Sequence, residues 1–161
     1  PFVGGMMALS SLLYPRRTTP LPQEVRPLPA NGTVPELPGW RWLPTPGHSP
    51  GHVSLWRAPD RVLLAGDAVI TTRQESARAV LRQTLEIRPP PAYFTPDWAS
   101  AWSSMQTVRR LAPRVVGAGH GQPAGGVFLN ASLDHLLRHF AEAGLPQRGR
   151  YAPPAPELTF A

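Results

Sequence analysis

The stretch Thr45-Pro46-Gly47-His48-Ser49-Pro50-Gly51-His52 decides how the rest of the chain is interpreted. Its two prolines and two glycines favour a loop, because proline interrupts helices and central strands and glycine permits tight turns. The residues that follow, 52–57, alternate in the period-2 pattern of a strand. The sequence therefore places His48 in a loop immediately before a strand.

Two further residues of metal-binding type also follow predicted strands. Asp67 comes after the apolar segment 62–65, and His120 comes after a short strand at 115–116, with a glycine on either side. Loops at strand ends of layered α/β folds can converge on one cleft, so His48, Asp67 and His120 are candidate metal ligands. From spacing alone, a surface histidine and a turn-forming aspartate remain competing interpretations.

The order of the predicted elements is typical of a layered α/β domain rather than an all-helical or all-β one. Turn signals at Asn31-Gly32 and at residues 58–60 separate the early elements. A short helix is predicted within residues 1–13. Strands are predicted at 39–43, 52–57, 61–65 and 115–116, and helices at 72–85, 95–113 and 127–143.

Apolar residues at helical spacing predict which helix faces are buried in the core. The second helix is expected to begin at Thr95-Pro96, a capping hydroxyl followed by a first-turn proline. The third is expected to end at Gly144. The apolar positions of the first helix are Ala77, Val80, Leu81 and Leu85. Those of the second are Trp98, Trp102, Met105 and Leu111. Those of the third are Phe128, Leu133, Leu136, Leu137 and Phe140.

Composition limits the classes of function that the chain can have. With 42% apolar residues it is typical of a globular protein, and its apolar runs are too short for a transmembrane helix. It has no cysteine, so a metal site would use nitrogen and oxygen ligands; this composition fits a cytoplasmic protein. The net charge of +6 comes from arginines spread along the chain, which argues against a nucleic-acid-binding stripe.

Three segments together resemble the third, fourth and fifth motifs of the metallo-β-lactamase superfamily. They are residues 45–52, residues 63–67 and Gly119-His120-Gly121, in the family's order and with a helical region between the last two. The resemblance covers roughly residues 39–140 and is similar in style to glyoxalase-II-like and lactonase-like hydrolases. It implies part of a four-layer αββα fold whose N-terminal half is missing. We expect a partial domain at 1–146, with a proline-rich connector at 14–38, and a tail at 147–161.

The resemblance also implies a role for each candidate residue. His48 would bind a first metal ion, His120 a second, and Asp67 would bridge the two. His52 occupies a motif position that is not a ligand, and it is expected to support the loop by hydrogen bonds. The implied cofactor is zinc, two ions per complete site, with iron or manganese as alternatives. The implied reaction is attack of a metal-activated water on an ester, thioester, lactone or amide-type bond of a small molecule.

The chain departs from the family pattern in one respect. The motif His-x-His-x-Asp-His should precede these segments, but no histidine occurs before His48. Without that motif each metal would keep one histidine and a share of Asp67, fewer than the three protein ligands of a catalytic zinc. We therefore expect an inactive fragment of a hydrolase, with apolar sheet surface and a strand edge left uncovered.

Other interpretations stay open on the sequence alone. The chain could be a non-catalytic binding or scaffold protein that lacks the His-x-His-x-Asp-His motif, which would require a polar patch over its sheet. Some relatives are nucleases, although the dispersed arginines argue against nucleic-acid binding here. His135 and His139 lie one helical turn apart and could share a metal. Their position beside core residues favours instead a pair that faces outward or lies at the edge of the core.

Overall fold

A computed structural model describes residues 25–153, together with Leu9, Leu12 and Leu13. The strands within them are β1 Trp40–Pro44, β2 Val53–Arg57, β3 Val62–Gly66, β4 Val115–Ala118 and β5 Ala124–Gly125. They form a five-stranded sheet in the order β1-β2-β3-β4-β5. The four predicted strands are confirmed, and β5 is an addition. Apart from the three leucines, the helix predicted within residues 1–13 lies outside the described residues, as do residues 14–24 of the predicted connector and residues 154–161 of the predicted tail.

A parallel pair of strands positions the candidate residues. β1 pairs with β2 and β2 with β3 in antiparallel fashion, whereas β3 and β4 run parallel, with Gly66 opposite Ala118. Parallel strands end at the same edge of a sheet, so the residues that follow them become neighbours. The backbone N–H of Gly119 donates to the carbonyl of Gly66 at 2.7 Å. Asp67, next in the chain, is thereby brought beside the His120 loop.

The two faces of the sheet differ because successive strand residues point to opposite sides. One face is covered by helices and carries the buried core. The other remains apolar and open within the described residues: Leu64 is 43% exposed and Val115 is 37% exposed. The expectation of uncovered apolar sheet surface is confirmed. Core residues come from both the sheet and the helices: Leu63, Ala65, Val116, Trp98, Met105, Val108, Leu129, Leu133, Leu136 and Phe140.

The helices described after β3 are α1 Ala77–Arg82, a 3₁₀ helix Ala92–Phe94, α2 Trp98–Leu111, α3 Gly126–Arg138 and α4 Phe140–Ala143. In α2 the predicted core stripe is confirmed: Trp98 and Met105 are buried, and Trp102 and Leu111 pack partly buried against them. Among the described residues no helix is long and apolar enough to cross a membrane.

The helix predicted at 72–85 is wrong over most of its length. Only Ala77–Arg82 is helical, and no residue in it is buried; Leu81 is 85% exposed. The flanking backbone is not helical: residues 71–75 contain bends and a turn, and Gln83 adopts a left-handed conformation. Ile70 exchanges hydrogen bonds with Arg88, and the N–H of Glu86 donates to the carbonyl of Thr71. These nonlocal bonds compete with the helix and pull the chain into a short β-type pairing.

The predicted start of α2 also moves. The N-cap is Asp97 rather than Thr95, and its carboxylate accepts from the backbone N–H of Ser100 at 2.9 Å. The Thr95 side chain makes other contacts: its hydroxyl donates to the carbonyl of Pro91 at 2.9 Å and lies 3.3 Å from His48 Nδ1. An aspartate serves the cap equally well, since its carboxylate can accept from the free N–H groups of the first turn.

The last predicted helix is interrupted at His139, which separates α3 from α4. The inward positions Leu133, Leu136 and Phe140 are confirmed as buried, and Leu137 is partly buried. Phe128 was wrongly assigned to the core, since it is 46% exposed. The C-terminal stop at Gly144 is confirmed; its N–H donates to the carbonyl of Phe140 at 2.8 Å.

Candidate functional site

The structure brings the three candidate residues together at one edge of the sheet. Asp67 lies between the two histidines, and each of its carboxylate oxygens faces a different ring. His48 Nε2 is 3.4 Å from Asp67 Oδ2, and His120 Nε2 is 3.6 Å from Asp67 Oδ1. The three loops predicted to converge therefore do so, with the carboxylate in the middle.

The loop that carries His48 is fixed against the start of α2. Gly47 has a φ of +130°, and a Cβ on it would lie 2.5 Å from the backbone of Ala101, so both conformation and contact require glycine. Beside this contact, Ser104 Oγ donates to the carbonyl of Pro46 at 2.7 Å. The loop is thus attached to a buried helix rather than free in solvent, which limits where His48 can lie.

A hydroxyl group sets the orientation of the His48 ring. His48 Nδ1 lies 3.3 Å from Thr95 Oγ1, and that hydroxyl already donates its hydrogen to the carbonyl of Pro91. Thr95 must therefore accept from His48 Nδ1–H, which leaves the lone pair on Nε2, facing Asp67. Burial lowers the pKa of His48 below its ordinary value of 6.5, and the attraction of Asp67 only partly offsets this.

The turn that carries Asp67 is supported by His52. The backbone N–H of Asp67 donates to His52 Nε2 at 3.0 Å, and His52 Nδ1 lies 2.9 Å from Thr45 Oγ1. Gly66 has a φ of +54°, and a Cβ on it would stand 2.7 Å from His52 Nε2. The expectation that His52 supports its loop by hydrogen bonds is confirmed by its contact with Thr45, and His52 also supports the Asp67 turn.

His120 is held through its backbone. Its carbonyl accepts from both the N–H and the hydroxyl of Thr71, at 2.9 and 3.0 Å. Its side chain is 41% exposed, so it forms the open side of the site, whereas the His48 and Asp67 side chains are each 23% exposed. The site is therefore closed beneath Asp67 and accessible beside His120.

The residues fit a divalent metal in their chemistry. Asp67 Oδ1 is buried and has no hydrogen-bond partner in the described structure, an arrangement that is costly unless a cation occupies the space next to it. A lone pair on His48 Nε2 facing a carboxylate oxygen likewise calls for a positive charge between them. Within residues 25–153, however, no three His, Asp or Glu side chains are arranged to hold one metal ion together. His48 and His120 each face one oxygen of Asp67.

Sequence reasoning missed Thr95, which was interpreted as a helix cap. It lies 47 positions from His48 along the chain. No local pattern signals such a contact, and only the folded arrangement of the loops reveals it.

The second histidine pair, His135 and His139, lies outside this site. The rings of His135 and His139 lie 4.6 Å apart, and His139 Nδ1 is 3.5 Å from the exposed Glu142 carboxylate. In the described part of the chain these three side chains do not form a metal-binding group. The interpretation as an outward-facing surface pair is consistent with the 45% exposure of His139.

Comparison with known proteins identifies the family. Residues 2–120 match the family model described as the metallo-beta-lactamase superfamily. The chain is 46% identical over 137 residues to the probable metallo-hydrolase YflN of Bacillus subtilis (strain 168), a match that covers 85% of this chain and 52% of YflN. It is 33% identical over 98 residues to the probable metallo-hydrolase YybB of the same organism, covering 61% of this chain and 39% of YybB.

A solved structure supports the same relationship. A metallo-beta-lactamase family protein from Thermus thermophilus matches with a TM-score of 0.50 and 27% sequence identity, covering 74% of this chain and 36% of that protein. The chain spans about half the length of YflN and less than half of YybB and of this structural relative. The mixed sheet with helices on one face agrees with part of that fold.

Proposed function

The chain belongs to the metallo-beta-lactamase superfamily, and from this premise we propose that it forms the part of a metal-dependent hydrolase that supplies His48, Asp67 and His120 as ligands. The proposed reaction is hydrolysis of an ester, thioester, lactone or amide-type bond in a small molecule. Two curated relatives are named as probable metallo-hydrolases, which supports this class of chemistry. Neither name specifies a substrate.

The position of Asp67 between two imidazoles carries the proposal. Its oxygens face His48 Nε2 and His120 Nε2 separately, at 3.4 and 3.6 Å. A carboxylate with its two oxygens facing different imidazoles can bridge two cations, while each imidazole serves one. The buried Oδ1 supports the same interpretation, because it accepts no hydrogen bond from the described residues. A set of nitrogen and oxygen ligands suits zinc, with iron or manganese as alternatives.

The part played by this chain is to hold its ligands in place before a metal binds. Bound divalent metal supplies Lewis acidity, which polarises a carbonyl group and lowers the pKa of water. Thr95 holds the His48 ring so that Nε2 faces the site. His52 holds the backbone at Asp67, and Thr71 holds the backbone of the third ligand. Such support reduces the ordering that would otherwise oppose binding.

We further propose that the 161-residue chain binds metal but does not hydrolyse substrate by itself. Its ligands give each metal one imidazole and one carboxylate oxygen, whereas catalytic zinc sites use three protein ligands. The matched regions cover 52% of YflN and 39% of YybB, so more than a third of each relative lies outside them. Those unmatched regions leave room for further ligands in such proteins.

The competing interpretation as a non-catalytic scaffold has less support. It required a polar patch over the sheet, but the open face presents exposed Leu64 and Val115. A nucleic-acid-binding role is also disfavoured, because the arginines are spread along the chain rather than gathered in one stripe. With these two interpretations disfavoured, we retain a small-molecule substrate as the proposal for the site.

Calorimetric titration of the chain with Zn²⁺ tests the ligand assignment. His48→Ala, Asp67→Ala and His120→Ala are each expected to weaken zinc binding at least about tenfold, since losing a ligand costs no less than losing an outer hydrogen-bond partner. His135→Ala is the matched control, because it removes a histidine outside the site. Equal losses in the control and the three ligand variants would overturn the assignment.

Hydrolysis is measured separately with an activated ester such as p-nitrophenyl acetate and saturating Zn²⁺. The chain is expected to give no rate above that of Zn²⁺ alone. A zinc-dependent rate that is abolished by Asp67→Ala would show that the isolated chain is catalytic, and the claim that it needs further ligands would be withdrawn.

A further inference from the structure

We propose that the side chains of His52, Thr45 and Ser54 act together to position Asp67, and we call these three side chains the His52 network. All three lie outside the ligand set. Their side-chain nitrogen and oxygen atoms all form hydrogen bonds with other protein groups. The proposal deepens the proposed function in its metal-binding aspect, on which it rests. The hydrogen-bond arrangement itself can be tested without any metal.

The direction of each hydrogen bond in the His52 network follows from its two ends. At one end Ser54 Oγ lies 3.2 Å from the carbonyl of Ala65, which can only accept, so Ser54 donates there. Thr45 Oγ1, 2.9 Å from Ser54 Oγ, then donates to Ser54. At the other end His52 Nε2 accepts from the N–H of Asp67.

This direction fixes the tautomer of His52. Because Nε2 accepts from Asp67, the neutral ring carries its hydrogen on Nδ1, and that N–H donates to Thr45 Oγ1 at 2.9 Å. Both ring nitrogens are then occupied by protein groups. His52 is therefore a positioning residue and not an additional metal ligand, although it lies close to His48 in the sequence.

The network closes on the turn that it supports. It starts at the N–H of Asp67 and ends at the carbonyl of Ala65, two residues earlier. The same carbonyl also accepts from the N–H of Ala68 at 3.1 Å. The turn after β3 is thus stabilised by its own backbone hydrogen bond from Ala68 to Ala65 and by the hydrogen bond from the Ser54 hydroxyl. Asp67 lies within this turn.

Packing leaves the His52 network little room to rearrange. Thr45 and Ser54 are both buried, so a broken hydrogen bond there is not replaced by water. The backbone N–H of Thr45 donates to the carbonyl of His52 at 2.9 Å, which ties the two residues together a second time. The His52 ring also occupies the space that a side chain on Gly66 would need. A displacement of this ring would therefore be passed directly to the Asp67 turn.

The first test is the tautomer of His52 in the metal-free chain, measured by long-range ¹H–¹⁵N NMR of the imidazole rings. The expected result is a hydrogen on Nδ1 and an unprotonated Nε2, the less common form of free histidine. A hydrogen on Nε2 would overturn the proposal, since that nitrogen could not then accept from Asp67. This result does not depend on whether the chain binds metal.

The second test uses Thr45→Val, which keeps the shape of the side chain and removes the hydroxyl. Zinc affinity is expected to fall by up to about tenfold, the low end of the loss for an outer partner of a ligand, because Thr45 acts on Asp67 only through His52. Amide hydrogen exchange at Asp67 is expected to be about fivefold faster, the effect of one ordinary hydrogen bond. Thr45→Ser should restore both values. Thr107→Val is the control, because Thr107 bonds only within the exposed surface of α2.

The outcomes separate the two proposals. If Thr45→Val keeps the zinc affinity and the Asp67 amide exchange rate of the wild-type chain, the positioning role is overturned. If the wild-type chain does not bind zinc, the proposed function fails, and the tautomer and the Asp67 exchange rate still decide whether the His52 network positions the turn. If Thr45→Val does not fold, Ser54→Ala tests the same network from its other end, with faster exchange at Asp67 expected.

Discussion

Replacing Gly119 with alanine tests the site geometry through a single added carbon. A Cβ at this position would lie 2.4 Å from Asp67 Oδ1 and 3.2 Å from its Cγ. The nearest backbone atom, the carbonyl carbon of Gly66, would be at an ordinary 3.5 Å. Gly119 has no left-handed φ, so alanine adopts its backbone conformation without strain. The substitution therefore acts on the Asp67 carboxylate and on little else.

The expected size of the effect follows from these distances. The gap of 2.4 Å is about 1 Å short of ordinary van der Waals contact, so the carboxylate must move by about that amount. Metal sites hold their ligands within roughly 0.2 Å, so such a displacement takes Oδ1 out of position. Zinc affinity should fall about 10- to 100-fold, or about 1.4–2.8 kcal/mol. Folding stability should fall by only about 1 kcal/mol, because an unbonded carboxylate oxygen can rotate away.

Zinc titration and urea denaturation of the same samples separate these two quantities. Gly51→Ala is the matched control, since a Cβ there meets nothing within 4 Å although Gly51 belongs to the same loop as His48. That variant should keep wild-type affinity and stability. Zinc binding by Gly119→Ala as tight as that by Gly51→Ala would refute the assigned geometry, as would unfolding of Gly119→Ala without a selective loss of metal binding.

Further substitutions test the core, the N-cap of α2 and the hydroxyl of Thr95. Met105→Ala empties a fully buried position and should cost about 2–5 kcal/mol in urea denaturation, whereas Leu81→Ala, 85% exposed, should stay within about 0.5 kcal/mol; similar losses would contradict the assigned core. Asp97→Ala should cost about 1 kcal/mol by removing the N-cap of α2. Hydrogen bonds from Ser100 lower the pKa of Asp97 below 3.8, so this stabilisation is present above about pH 4 and lost as the pH falls through the lowered pKa. Asp97→Asn should keep the cap and lose that acid dependence, and an unchanged acid profile would show that the cap carboxylate is not responsible. Thr95→Val should weaken zinc binding about tenfold by releasing the His48 ring, and unchanged binding would remove Thr95 from the site.

The sequence predicted most of the sheet because its strands carry strong local signals. The apolar run before Gly66 and the alternation at 52–57 each mark a strand without reference to the rest of the chain. The convergence of His48, Asp67 and His120 could also be predicted, since each follows or precedes a strand and the three segments resemble family motifs. The stripe from Trp98 to Met105 is a helical pattern long enough to be recognised directly.

What could not be predicted depends on contacts between distant segments. The observed helix is shorter than the one predicted at 72–85 because Ile70 pairs with Arg88. Helical periodicity in the sequence holds no information about such a pairing. Phe128 is 46% exposed although it lies at helical spacing with the buried Leu133 and Leu136, so the apolar pattern alone does not mark where the buried face of α3 begins. The hydrogen bond from His48 to Thr95 joins residues on different loops, so the orientation of the ring could be derived only from the structure.

The most direct test of the central claim is a Zn²⁺ titration of the ¹⁵N-labelled chain, followed at the ring nitrogens of all five histidines by long-range ¹H–¹⁵N NMR. Zinc is expected to shift the Nε2 signals of His48 and His120, and both shifts should be lost in Asp67→Ala. The signals of His52, His135 and His139 should stay at their metal-free positions. Zinc shifts at His135 and His139 with none at His48 and His120 would contradict the claim.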